Sequence, residues 1–434
     1  MKSLVRLSIA LALAAVLTTG LFANGLNLNG FGARATAMGG AYVSLANDVT
    51  AVFWNPAGLT QLKKGTFGLA GDLLMPKSTF GFGPFSMKTN SKKYPAGLLG
   101  YFQPIGNNIV VGVGAYTLSG LGAEWDNPGL EAAMLGAALP GGYASNPPLE
   151  AYKWRSFIGS VTLAPSIAFK LGEYVSLGAS FNINYGFFKT DQWAEYNVIA
   201  VGPPTILFNL GQASMDVKGW GYGATVGLMV KPSDMISFGV TYRLQSKLKL
   251  KGTASIENLP LINPAFPDTS DAELDAISPM WLAGGVSLKP MDNLTVAFDL
   301  QWTNWKKLDV LTVRLLNTIW NNNLKLTENV LDLHWSDKIQ VRAGVEYVMG
   351  NFALRGGYYY DPAPAPDATL NILVPSFNYN SIAGGFGYKM GGLSLDFTLE
   401  YLMGKDRTVA PGGAMPGNYA MNILVPVVGL SYSF

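Results

Sequence analysis

The chain has 434 residues, of which 49% are hydrophobic and only 13% charged, with a formal net charge of +2 and no cysteine. The charged share is about half that of an ordinary soluble protein, the balanced charge gives no ground for a nucleic-acid partner, and the lack of thiols excludes disulfides, thiolate metal sites and a lipidated cysteine. Such a composition favours lipid, yet beyond the first residues no run of about 18 apolar residues occurs, so helical spanning is excluded and a closed β-barrel is the remaining way to satisfy every backbone group in a bilayer.

In chain order, Lys2 and Arg6 precede an uncharged stretch from Leu7 to Leu17, and Leu21-Phe22-Ala23 closes it with a small residue. This is the pattern of a secretory signal peptide over residues 1–23, with the mature chain starting near Asn24. Residues 24–64 are Gly- and Ala-rich and too irregular to span. Within them, "AVFWNPAGL" places Asn55-Pro56 directly after a β-prone apolar run. Proline lacks the backbone donor and keeps Asn55 out of the α region, so the run is neither mid-strand nor mid-helix.

Residues 65–434 alternate with period two. In "MISFGVTYRLQ", Ile236, Phe238, Val240, Tyr242 and Leu244 oppose Ser237, Gly239, Thr241, Arg243 and Gln245. "LTVAFDLQW" sets Val296, Phe298 and Leu300 against Thr295, Asp299 and Gln301, and "LSLDFTLEYLM" sets Leu395, Phe397 and Leu399 against Asp396, Thr398 and Glu400. Tight-turn signals fall at Gly106-Asn107-Asn108, Leu171-Gly172-Glu173, Lys231 to Asp234, Lys289 to Asn293, Gly350-Asn351 and Gly391-Gly392. Long Pro-, Asn- and Gly-rich connections lie between them. With a first strand near Gly65 and a last one ending in "VVGLSYSF", the pattern predicts an all-β transmembrane antiparallel barrel of about fourteen strands. A lumen that wide needs filling, and residues 24–64 are the natural plug.

These segments together resemble the FadL/TodX family of outer-membrane transporters for long-chain fatty acids and other hydrophobic compounds. The resemblance starts at "GFGARATAMGGAYVSLANDVTAVFWNPAGL" and continues through "GYFQPIGNNIVVGVGAYTLSGLGAEW", "LAPSIAFKLGEYVSLGASFNINYG", "GWGYGATVGLMVKPSDMISFGVTYRLQSKLKLKG", "FDLQWTNWKKLD", "VRAGVEYVMGNFALRGGYYYDPAPAPD" and "GLSYSF". It implies a lumenal hatch with its motif at Asn55, Pro56 and Ala57, ligand capture at apolar extracellular loops, and lateral exit beside an inward-kinked third strand. That strand is "VVGVGAYTL", with Gly112 and Gly114 expected to permit the kink; Gly-x-Gly is also common in any barrel strand. Leu26, Leu28 and Phe31 are expected to line an apolar pocket from the hatch, and Phe53 and Trp54 to offer apolar surface beside it.

Catalysis has little to stand on: the single histidine, His334 in "LDLHWSD", fits a rim residue, and no metal cluster, nucleophile elbow or phosphate loop has its required context. No cofactor is expected. Counting back from the Gly350-Asn351 turn sets Glu346 opposite Arg355 as a wall pair, leaving Arg342 as the better candidate to meet a ligand carboxylate. Arg243, Lys247 and Lys249 are expected to continue one inward face, as a head-group attractor or a solvated rim. "YNVIAVGPPTILFNLG" and the helix-like "GLEAAMLGAALPGG" are apolar loops that either capture ligand or seal the barrel. The expected function is passive, ligand-gated uptake of a hydrophobic small molecule into outer-membrane lipid by a monomer; a diffusive porin and a secretion scaffold are the alternatives.

Overall fold

The computed structural model describes residue 28 and residues 30–126 and 129–434; the expected signal peptide and Leu26 lie outside the described residues. Among the described residues, fourteen antiparallel strands form one closed wall. They are β1 Thr66–Phe82, β2 Tyr94–Ile105, β3 Ile109–Asp126, β4 Trp154–Leu171, β5 Val175–Trp193 and β6 Gln212–Ser233. Four strands follow that are each interrupted once: β7 Ile236–Arg243 and Ser246–Ile256, β8 Thr269–Ser278 and Trp281–Met291, β9 Leu294–Thr303 and Val310–Leu315, and β10 Glu328–Asp332 and Lys338–Met349. The last are β11 Phe352–Asp361, β12 Tyr379–Met390, β13 Leu393–Gly404 and β14 Gly417–Ser433. Pairing of β14 with β1, from Thr66 against Ser433 to Gly81 against Asn418, closes the wall and removes both sheet edges.

The side-chain alternation is the one the sequence predicts. Phe238, Val240, Val296, Phe298, Leu395 and Leu399 are exposed on the outer face, whereas Ser237, Thr241, Thr295, Asp299, Thr398 and Glu400 are buried inside. All six tight turns sit at one end of the barrel. Strands as long as the 22 residues of β6 exceed the 9–11 that cross a bilayer, so the wall projects beyond the membrane at the long-loop end.

One expectation fails. Arg243 is buried and inward, but Lys247 and Lys249 are exposed and Leu248 and Leu250 take the inward positions. The break at Leu244-Gln245 shifts the period-two phase by one residue, which turns every later side chain to the other face. Lys247 instead pairs with Asp275 at 3.2 Å outside the wall.

Residues 30–64 are folded inside this wall. They form α1 Ala33–Ala37, α2 Ala51–Trp54 and a 3-10 helix Pro56–Gln61, and nearly all are buried. The segment meets wall glycines on many sides: Val49 lies against Gly68, Val52 against Gly114, Val43 against Gly239, Met38 against Gly344 and Ala37 against Gly385. At Gly178 the wall meets the backbone of the motif, since a β-carbon there would stand 2.2 Å from the carbonyl carbon of Pro56. At Gly357 it would stand 1.9 Å from the backbone nitrogen of Gly39. Neither distance leaves room for a side chain, so these glycines form the seat of the segment. Gly178→Val is therefore expected to unseat residues 30–64, since overpacking costs about 1–3 kcal/mol or more, while the barrel still folds. Unchanged heat-modifiable mobility on gels together with new protease cleavage inside residues 30–64 is the readout.

Candidate functional site

Asn55 stands at the centre of the lumenal segment. Its backbone is extended, with φ −163° and ψ 102°, as the following proline requires. Its side-chain oxygen accepts from the Ala57 amide at 3.1 Å, capping the 3-10 helix that Pro56 starts. Its Nδ2 donates to the Val43 carbonyl at 2.9 Å and to the Leu228 carbonyl of β6 at 3.1 Å. One side chain thus ties two parts of the segment to each other and to the wall.

The inward charges serve the same end. Asp299 on β9 accepts the backbone amides of Tyr42 and Val43 at 2.7 and 2.8 Å. Arg34 of α1 forms a two-pronged ion pair with Glu346 on β10, both contacts 2.7 Å. Glu346 also accepts from Arg355 at 2.7 Å, as the register predicts, and Arg355 continues to Asp396 at 2.6 Å. Arg243 donates to the Phe53 carbonyl at 2.9 Å, and its guanidinium carbon lies 4.7 Å from the ring centres of both Phe53 and Trp281. Arg342 does not present an open guanidinium to a ligand carboxylate. It is buried, faces Asp299 across the β9–β10 ladder, donates to Gln340 at 2.7 Å, and lies 5.5 Å from the Trp54 ring centre and 5.0 Å from that of Tyr359. Desolvation explains the difference: an arginine enclosed by protein is retained only when its donors and cationic face are already engaged.

Besides the interruptions in β7 to β10, the wall is irregular at β3. Gly112 and Gly114 do not mark the irregularity, because both are paired on each side, with Phe102 and Ser166 and with Gly100 and Ala164. Toward β4 the register jumps from Thr117–Val161 to Ser119–Ser160, leaving Leu118 as one extra residue. Toward β2 the ladder ends at Leu98–Tyr116 and resumes only at Thr89–Trp125, contributed by the Phe85–Thr89 hairpin strand. Between these points residues 117–123 have no register partner on that side among the described residues. From Gly114 to Leu118 both faces of the strand are buried, where a wall strand in lipid would alternate. The break starts about eight residues above the tight turn, roughly 20 Å up a tilted strand, within the hydrocarbon layer. The ring of Tyr94 lies across it, 3.4 Å from where a β-carbon on Gly122 would be.

Three spaces adjoin these elements. An apolar cavity of about 40 Å³ beside the bulge is lined by Ser119, Phe187, Leu248, Leu250 and Ile277. A second, of about 30 Å³, is lined by Leu28 and Phe31 together with Asp72, Ala96, Tyr359 and Glu400. At the tight-turn end a vestibule of about 810 Å³ opens beneath Arg34, Gln61, Glu346 and Asp396. Phe53 and Trp54 pack edge-to-face at 5.1 Å, and Phe53 packs on Tyr116 of β3 at 5.5 Å, so the segment touches the strand that breaks.

At the long-loop end, residues 362–378 turn inward: Leu370, Ile372 and Phe377 are buried, and the Ile372 carbonyl accepts from the indole of Trp125 at 2.9 Å. Composition alone did not single out this loop, although its apolar "LNILVPSF" was visible. The stretch Tyr196 to Gly211 pairs as Tyr196–Ala200 and Thr205–Asn209 in a small sheet with Tyr143–Asn146, and it leaves Val198, Ile199 and Val201 exposed. Leu130–Ala138 is the predicted helix. His334 is an exposed rim residue whose Nδ1 meets Asp309 at 2.8 Å; that hydrogen bond raises the imidazole pKa.

Residues 14–434 match the family described as outer membrane protein transport protein (OMPP1/FadL/TodX). The chain belongs to this family. It is thus an outer-membrane FadL/TodX-type barrel from a family of hydrophobic-compound transporters. A long-chain fatty acid transport protein of Salmonella typhi is 22% identical over 93% of both chains. The FadL homologue of Pseudomonas aeruginosa superposes with TM-score 0.77 at 18% identity, covering 94% of this chain and all of that one. The P. putida toluene transporter TodX superposes with TM-score 0.73 at 17% identity, covering 94% and 99%.

Two variants of this FadL/TodX-type barrel test the tethering. Asn55→Ala removes three buried hydrogen bonds and is expected to weaken seating of the segment by about 3 kcal/mol. Glu346→Ala leaves Arg34 and Arg355 without their shared partner, a loss of about 3–5 kcal/mol for a buried pair. Both are expected to raise ion conductance in planar bilayers above that of the parent while the barrel stays heat-modifiable.

Proposed function

We propose that this barrel takes up hydrophobic molecules passively and delivers them sideways into the outer-membrane lipid. The break between β2 and β3 is the observation that carries the reading, since a bilayer penalises an open ladder at this depth and a purely aqueous pore has no use for one. Ligand is first captured on the apolar face of the Tyr196–Asn209 loop, which includes Val198, Ile199 and Val201. It passes the apolar cavity at Phe187 and Leu250, beside the bulge, and leaves where Thr117–Ala123 lack a neighbour.

The physical obstacle is desolvation: an apolar solute gains about 25 cal/mol per Å² wherever protein replaces water around it. A continuous apolar route lowers the barrier without an energy source. Phe53 packs on Tyr116 and Asn55 holds the segment in place, so ligand that favours a shifted segment opens the route by differential affinity alone. One closed barrel contains the whole route, so a single chain suffices. A wide, ligand-independent conductance in the parent protein would favour a diffusive porin instead.

Deleting Leu118 removes the extra residue and is expected to restore a continuous ladder beside β3. Uptake of a radiolabelled hydrocarbon by cells carrying the variant is expected to fall at least about tenfold, a loss of roughly 1.4 kcal/mol or more, with surface amount and heat-modifiable mobility unchanged. Undiminished uptake would reject lateral exit.

A further inference from the structure

Next to the wall break lies the cavity of about 30 Å³ that Leu28 and Phe31 share with Asp72, Ala96, Tyr359 and Glu400. Register explains how two carboxylates reach one space. Glu400 on β13 faces Val425 on β14, two residues along Val427 faces Asp72 on β1, and Asp72 faces Ala96 on β2. The two acids therefore flank β14, both inward, and Ala96 belongs to the part of β2 that has no ladder to β3.

Their surroundings differ. Glu400 accepts from the Ser381 hydroxyl at 2.8 Å and from the Tyr359 hydroxyl. Asp72 is 5% exposed, and its Oδ2 is buried without a hydrogen-bond partner among the described residues. The nearby cations are engaged: Arg355 and Arg34 with Glu346, Arg243 with Phe53, and Arg342 with Gln340 and the Tyr359 ring. Two acids around one dry space are costly to ionise together, so the pair welcomes a donor and disfavours a further negative charge. The cavity has about the volume of one water molecule, so it holds a head group of a single heavy atom and no chain.

We propose that this cavity reads the head group of the transported molecule, favouring apolar compounds that end in a hydrogen-bond donor, a hydroxyl or an ammonium, over those that end in a carboxylate. The inference rests on the hydrophobic-transport reading and narrows its substrate class. The donor hydrogen-bonds Asp72 Oδ2 inside the cavity, and the chain that carries it leaves past Ala96 toward the wall break. A ligand carboxylate in the same place adds a third acidic group without a donor to meet it.

The test is calorimetric binding to the purified full-length barrel in detergent at pH 7, with 1-octanol, octylamine, octanoate and, as a probe without a head group, toluene. Parent protein is expected to bind octanol and octylamine at least about tenfold more tightly than octanoate, the scale of one hydrogen bond to a charged group. Asp72→Asn, which offers a donor of its own, is expected to reduce that ratio about tenfold; Glu400→Gln supplies a second variant should the first misfold. Octanoate binding as tightly as octanol, or a ratio unchanged in both variants, overturns the inference. So does a crystal structure soaked in octanol that shows only a water beside Asp72. Toluene binding without head-group preference overturns this inference alone, whereas no binding of any of the four compounds overturns the transport reading with it.

Discussion

In hydrocarbon an unpaired backbone amide or carbonyl costs several kcal/mol, so a chain with no apolar helix long enough to span must pair each strand with two neighbours and return to its start. Pairing of β14 with β1 meets that demand. Most junctions carry long ladders, and the exception at membrane depth is that of β2 with β3. At β3 an extra residue, Leu118, and the loss of β2 as a partner turn the strand inward, and protein covers both of its faces. The exception is supported from within: Tyr116 packs against Phe53 and Phe31 of the lumenal segment, and Trp125 is held by the Ile372 carbonyl of an inserted loop.

The lumenal segment is held by polar groups as well as by its buried Phe31, Met38, Tyr42 and Trp54. Asp299, Glu346, Arg243 and Arg342 direct hydrogen bonds or charge into it and Asn55 donates from it to the wall, while wall glycines let its backbone come close. Tethers of this kind are individually modest and collectively firm. It also follows that most lumenal charge is committed to structure. Asp72, whose Oδ2 has no partner among the described residues, borders the break through Ala96.

How much of this was legible depended on range. The alternation in "LTVAFDLQW" placed Asp299 inward because period two is a local property of a strand. The Glu346–Arg355 pair followed from counting across a two-residue turn, which is again local. Asn55-Pro56 announced an interruption because proline constrains its own neighbour. By contrast Lys247 and Lys249 were placed on the wrong face, since a break at Leu244-Gln245 changes phase without a signature in composition. Gly112 and Gly114 looked like a kink and are regular; Leu118, which forms the bulge, is unremarkable in sequence because a bulge is defined by the partner strand. The meeting of Asp72 and Glu400 spans more than three hundred residues and depends on barrel closure.

The sequence by itself determined the class of solution: a low charge content, no spanning helix, period-two strands, tight turns at one end and an N-terminal stretch unfit to span leave a plugged outer-membrane barrel. These are properties of single residues and near neighbours, which hydrophobicity and backbone sterics decide. Only the tertiary structure decided which arginines were engaged, where the wall opens and which acids share a cavity. Those outcomes are set by register between distant strands, and a shift of one residue in that register exchanges the inside of the wall for the outside.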